Sequence, residues 1–145
     1  VQVFNSALDV RYAKDHIVSH DLSKTPSIAV SKSRDILRRI DPDTQVVGVD
    51  EVQFFDDEIV AVCEQLADQG RRVIVAGLDQ DFRGVPFPVT SLLMGVAEFV
   101  TKNLAICMVC GNPANRSQRL GRGRKVVDVG AADKYEARCR HCFRK

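Results

Sequence analysis

"VVGVDEVQFF", residues 46–55, decides the fold. An apolar run, Val46 to Val49, ends abruptly in two acids, Asp50 and Glu51. A short apolar run bounded by polar residues reads as a buried strand of the kind found in parallel sheets. In open α/β sheets, ligands bind beyond the carboxyl ends of the strands, and Asp50 and Glu51 stand there. An acid in that place can hold Mg2+ on a nucleotide phosphate, and a neighbouring carboxylate can serve as a general base. A helix cap or a salt bridge uses the same residue types, so the doublet alone leaves both readings open.

Outward from this stretch the pattern repeats. "VQVF" (1–4), "SIAV" (27–30) and "RRVIVAGL" (71–78) are strand candidates, the last read as buried. "SKSRDILRRI" (31–40) predicts a helix with Ile36, Leu37 and Ile40 on one face, Ser31 or Ser33 as its cap and Pro42 past its end. Asp56 or Asp57 can cap the next helix, where Ile59, Val62, Cys63, Leu66 and Ala67 recur at helical spacing before Gly70 stops it. "PVTSLLMGVAEFV" (88–100) predicts a third helix with Leu92, Leu93, Val96, Phe99 and Val100 inward. Strands alternating with helices predict a parallel sheet with helices on its faces. From about residue 104 the pattern changes to short strands and turns that carry cysteine pairs.

Of the 145 residues, 45% are hydrophobic, enough for one ordinary domain with a small appendage. The apolar runs are too short for a transmembrane helix, and "VQVFNSALDV" has neither the basic segment nor the cleavage site of a secretory signal. Net charge is +2 but unevenly placed: residues 1–106 hold 11 Lys and Arg against 16 Asp and Glu, and residues 107–145 hold 10 against 3. The basic tail is expected to meet something anionic, whether a nucleotide, RNA or an acidic neighbour.

Four of the five cysteines form two C-x-x-C pairs, Cys107 with Cys110 and Cys139 with Cys142. Two such knuckles complete a tetrahedral four-thiolate site for a structural Zn2+, because all four positions are filled by protein. A single C-x-x-C also suits a redox pair; two together favour metal and a reducing compartment. The 28 residues between the knuckles exceed the usual ribbon spacing, so a long loop is pinned between them. His141 reads as an exposed spacer and Cys63 as core; His16 and His20 are assigned no chemistry.

Two further strand ends carry charged residues. "AGLDQDF" (76–82) presents Asp79, Asp81 and Phe82, and "DVR" (9–11) presents Asp9 and Arg11. Arg11 could neutralise a phosphoryl group or form an ordinary surface ion pair.

"DVRY" (9–12), "VVGVDEVQFF", "AGLDQDFRGVPF" (76–87), "CMVCGNPANRSQRL" (107–120) and "VGAADKYEARCRHC" (129–142) together resemble the cytosolic type II thymidine kinases. The match runs in order over nearly the whole chain. The resemblance implies a P-loop NTPase-like core at residues 1–105 and a zinc-binding lasso domain at 106–145. It implies transfer of the γ-phosphoryl group of ATP to the 5′-hydroxyl of thymidine, giving dTMP in nucleotide salvage. Structural Zn2+, Mg2+ with ATP, a homotetramer and a cytoplasmic location follow from it, with neither membrane nor nucleic acid expected as a partner.

Carried over residue by residue, Glu51 is the base that takes the 5′-hydroxyl proton, and Asp50 is on the Mg2+ side. Asp9, Val10 and Arg11 face the phosphates, and Val52 and Gln53 belong with Asp50 and Glu51 to the nucleotide-binding segment. The lasso closes over thymine with the backbone of Val126, Val127, Asp128, Val129 and Gly130, and Tyr135 lies beside it. Phe54, Leu78, Phe82 and Phe87 match the apolar pocket, and Ser117 matches a small hydroxyl residue near the thymine methyl. Without the resemblance, Phe54, Phe82 and Phe87 read as ordinary core.

One departure is plain: no G-x-x-x-x-G-K-[ST] occurs in these residues, and "GRGRK" (121–125) is too short and lies in the lasso. In the family, a strand, a P-loop and a helix precede the strand matching "VQVF". The natural protein is therefore expected to extend N-terminally by at least roughly 30 residues, the order of a βαβ unit. The rival reading is a zinc-ribbon nucleic-acid-binding module on a degenerate NTPase-like core. The basic tail supports it, and the scarcity of aromatic residues for base stacking opposes it.

Overall fold

The computed structural model describes residues 1–7, 16–18, 24–121 and 134–144. Four parallel strands form the central sheet in the order β4-β1-β5-β6: β1 is Gln2–Ser6, β4 Ile28–Val30, β5 Val46–Asp50 and β6 Arg72–Val75. A small antiparallel pair, β2 (His16–Val18) with β3 (Lys24–Pro26), lies between β1 and β4 in the chain. Three helices, α1 (Arg34–Arg39), α2 (Glu58–Asp68) and α3 (Pro88–Val96), follow β4, β5 and β6 in turn. This is the α/β architecture that the alternating pattern predicts. Among the described residues no helix is long and apolar enough to cross a membrane.

The core forms where the strand and helix patterns meet. Phe4, Val47, Ile36, Ile59 and Leu66 are fully buried, joined by Val30, Val49, Val52 and Val62. Each such side chain contributes roughly 1.5–3 kcal/mol relative to exposure. The α2 stripe holds as read for Ile59, Val62, Cys63 and Leu66, but Ala67 faces solvent. Cys63 is inert core, its thiol pushed up to about 11 by burial and by the nearby Glu64 charge.

Three expectations are corrected. β6 is not a buried strand: it is the edge of the described sheet, its residues alternate between exposed and half-buried, and Ile74 is 52% exposed. α3 stops at Val96 because Ala97 is extended, so Phe99 and Val100 lie beyond it, exposed. Its buried stripe is Val89, Thr90 and Leu93, while Leu92 and Val96 face outward. A helix apolar on most sides does not reveal which face packs.

The third correction concerns the cap of α1. Ser33 is fully buried and makes no side-chain cap; its N–H donates to Asp56 Oδ2 at 3.1 Å. Asp56 also accepts the Glu58 N–H at 3.2 Å, whereas Asp57 makes no side-chain cap bond. One carboxylate thus joins the starts of α1 and α2.

Beyond α3 the chain forms two short antiparallel pairs, β7 (Ala105–Ile106) with β8 (Pro113–Ala114) and β9 (Arg116–Arg119) with β10 (Tyr135–Arg138). The second pair continues to Leu120, whose N–H donates to the Lys134 carbonyl at 2.9 Å. Between the knuckles, residues 116–120 and 134–138 therefore form a two-stranded stem.

Candidate active site and metal centre

Three strand ends meet at one rim. Asn5 of β1 is in register with Asp50 of β5, and Val49 is in register with Val75 of β6. The Ala76 N–H continues the β5–β6 ladder to the Val49 carbonyl at 2.8 Å, and the Val52 N–H returns to the Ala76 carbonyl at 3.1 Å. Ser6 Oγ donates to the Phe54 carbonyl at 3.3 Å, tying the β1 end to the turn after β5.

That turn is unusual. Glu51 has φ 50° and ψ 45°, the one left-handed non-glycine backbone among the described residues. Such a conformation costs on the order of 1–3 kcal/mol and persists only when its surroundings fix it. It swings the chain from β5 into a single 3-10 turn, Val52–Phe54, closed by the Phe54 N–H on the Glu51 carbonyl and the Phe55 N–H on the Val52 carbonyl, each at 3.0 Å. The Val52 side chain is buried in the core, and its backbone N–H and carbonyl are both engaged, by Ala76 and Phe55. Gln53 is 9% exposed. Its Nε2 donates to Glu51 Oε2, and its Oε1 accepts the Leu78 N–H at 2.9 Å.

The strand-end acids after β6 are spent locally. Asp79 pairs with Lys102 at 2.6 Å. Asp81 is buried and accepts the N–H groups of Arg83 (2.8 Å) and Val85 (3.0 Å) and the Arg83 guanidinium (2.6 Å). Burial works to raise its carboxyl, but the bonds from Val85 and Arg83 prevail and hold it below the ordinary value of 3.8. Asp81 shapes the turn that presents Phe82 and Phe87, both half-buried. Phe54 is half-buried and Leu78 is 49% exposed.

Several predicted residues come together through a side chain that the sequence reading missed. The Arg119 guanidinium lies 4.8 Å from the Phe82 ring centroid and 5.8 Å from that of Tyr135. Tyr135 is in register with Arg119, and Ser117 with Ala137, on the β9–β10 stem. Arg116 donates to Gln80 Oε1 at 2.5 Å, and Gln80 Nε2 donates to the Asn115 carbonyl at 2.6 Å. The stem is thereby fastened to the segment that carries Phe82. Sequence showed these arginines only as part of a basic tail. Asp9, Val10, Arg11 and the Val126–Gly130 backbone lie outside the described residues.

The metal centre is compact. The Sγ atoms of Cys107, Cys110, Cys139 and Cys142 all lie within 4.8 Å of one another, with Cys110 and Cys139 3.6 Å apart. Gly111 takes a left-handed φ of 74° to close the first knuckle, its N–H on the Cys107 carbonyl at 2.9 Å. The Phe143 N–H closes the second on the Cys139 carbonyl at 3.0 Å.

The donor chemistry fits a cation. Burial opposes ionisation of Cys107, yet backbone hydrogen bonds from Cys139, Val109 and Cys110 bring it down to about 6. Cys142 is pushed up to about 12, chiefly by its hydrogen bond with Cys110 and by burial. Packed thiols cannot all ionise beside one another unless a cation offsets their charge. Four thiolates at this spacing suit structural zinc. His141 is exposed, as expected of a spacer.

Fold and sites together define an α/β protein with acidic residues at its strand ends and an appended four-cysteine unit. A model of the thymidine kinase family matches residues 1–143. The chain belongs to that family.

Proposed function

We propose that this chain carries the nucleoside-binding and proton-accepting residues of an ATP-dependent thymidine kinase. The observation that carries the reading is Glu51, held in a strained backbone at the rim of a parallel sheet in a chain of this family. Glu51 takes the proton from the thymidine 5′-hydroxyl. The 5′-oxygen forms a bond to the γ-phosphorus as the bond from that phosphorus to the bridging oxygen breaks, giving dTMP and ADP. Catalysis of this kind is mainly positioning and charge stabilisation.

Asp50 would hold the Mg2+ that travels with ATP, and that ion, when bound, offsets charge on the phosphates. The Oδ1 of Asn5, in register with Asp50, is buried without a hydrogen-bond partner among the described residues, and a hard cation favours oxygen donors of this sort. Asp9, Val10 and Arg11 would face the phosphates, with backbone groups of Val52 and Gln53 nearby. Phe54, Leu78, Phe82 and Phe87 supply an apolar slot for a planar base, with Ser117 beside the thymine methyl. The backbone of Val126–Gly130 and Tyr135 would complete it from the lasso. Loop backbone donors aim well only when the loop is anchored, which is the part assigned to zinc and to the β9–β10 stem.

Residues 1–105 act as the kinase core and 106–145 as the lasso domain, in a cytoplasmic homotetramer. The exposed apolar side chains of Leu92, Val96, Phe99 and Val100 suit burial between subunits. A thermal-shift titration tests substrate choice: thymidine should raise the melting temperature of the full-length protein and cytidine should not. Salt-dependent RNA binding with no response to any nucleoside would favour a nucleic-acid module instead.

A further inference from the structure

We propose that Gln53 is a positioning residue for Glu51, holding the carboxylate in its working orientation from the end of β6. The proposal rests on the reading of Glu51 as the base.

The geometry assigns the amide its direction. A backbone N–H can only donate and an ionised carboxylate can only accept. The Leu78 N–H must therefore meet Oε1, at 2.9 Å, which turns Nε2 onto Glu51 Oε2. Gln53 is 9% exposed, and both ends of its amide are engaged. The bridge adds a side-chain tie between the turn after β5 and the first residues beyond β6, which the Val52 N–H on the Ala76 carbonyl already brings together.

The space around the amide is equally restricted. A Cβ on Gly77 would come within 2.6 Å of Gln53 Oε1, 2.9 Å of Val52 Cγ1 and 3.0 Å of the Val52 nitrogen. Only glycine at position 77 lets the strand end approach closely enough for the Leu78 N–H to reach the amide. The glycine in "AGLD" thus serves the Gln53 bridge. Glu51 needs such a brace: a residue forced into left-handed backbone has its side chain aimed by the turn, and the amide then limits where the carboxylate can swing. A base must lie within hydrogen-bond reach of the proton it takes, and a misplacement of about 1 Å can cost about a hundredfold in rate.

The test is a double-mutant cycle on turnover by the full-length protein, using Gln53→Met, Glu51→Gln and the pair. Methionine keeps the length of the side chain and loses both hydrogen bonds. Gln53→Met should lower kcat at least about tenfold while the KM for thymidine stays within about threefold, because the loss is of aim at the reacting proton. In the Glu51→Gln background, where no base remains to be aimed, the same change should cost less than about twofold. An equal loss in both backgrounds would make Gln53 a structural residue and overturn the proposal, as would near-normal kcat in Gln53→Met. Should that variant fail to fold, Gln53→Glu keeps an acceptor for Leu78 and sets a like charge against Glu51; the same pattern is expected of it. If Glu51→Gln alone turns over normally, the base assignment fails, and the positioning role fails with it. That outcome is distinct from Gln53 failing in a protein that needs Glu51.

Discussion

Glu51 meets two demands at one position. Its backbone turns the chain out of β5 in a conformation that side chains rarely adopt, and its carboxylate is held by a buried amide. A helix cap would need neither feature, and Glu51 makes no side-chain cap bond to the turn it precedes. Glu51→Gln keeps shape and hydrogen-bonding reach but cannot take a proton. Turnover should fall by about 10²–10⁴, with thymidine affinity changed little, as read by steady-state kinetics and calorimetric titration. A variant with near-normal turnover would reduce Glu51 to a structural or metal-side carboxylate. The acids themselves were legible because an apolar run ending in Asp-Glu is a local signal. The partner was not: Gln53 meets Leu78 across 25 positions of sequence, and nothing local marks that pairing.

Among the elements, the turn between β6 and α3 shows how a strand-end acid can be misread. Asp79 and Asp81 look like members of the ligand rim, yet Asp79 is ion-paired with Lys102 and Asp81 is folded into its own turn. Asp-x-Arg with Gly84 nearby was a turn signal available in the sequence, and it competed with the strand-end reading. Asp81→Ala should cost about 1–3 kcal/mol in urea unfolding, since a buried, charge-assisted set of bonds is lost. The sign with pH follows from the depressed carboxyl. Its contribution is fully present above the unfolded value near 3.8 and is lost as pH falls through the lower folded value. Wild type and variant should therefore converge in acid and differ at neutrality; an unchanged gap across that range would contradict the assignment. The central strands and the helix positions were legible from period and punctuation, whereas the β2–β3 pair, in a stretch read as a polar connection, was not. The packed face of α3 was not, because its apolar residues surround it, and the edge position of β6 among the described strands was not, because order within a sheet is a long-range property.

At the scale of the whole molecule, the four-cysteine centre lies wholly within the C-terminal unit, and side chains tie that unit to the α/β core. The four thiols converge at the foot of the β9–β10 stem, and Arg116 with Gln80 fastens that stem to the segment carrying Phe82. Metal analysis should find one zinc per folded chain, and free-thiol titration after denaturation should find no disulfide. Cys110→Ser should weaken thymidine binding more than ATP binding, because it loosens the lasso while leaving the core rim in place. Well under one zinc per chain would contradict the assignment of the four thiols to a metal. The central claim is the reaction itself, and labelled phosphoryl transfer tests it most directly. With γ-labelled ATP, the full-length protein should place label on the 5′-oxygen of thymidine and leave cytidine unlabelled, and Glu51→Gln should suppress that labelling. Absence of labelled dTMP from folded, zinc-loaded protein, or equal labelling of both nucleosides, would contradict the account.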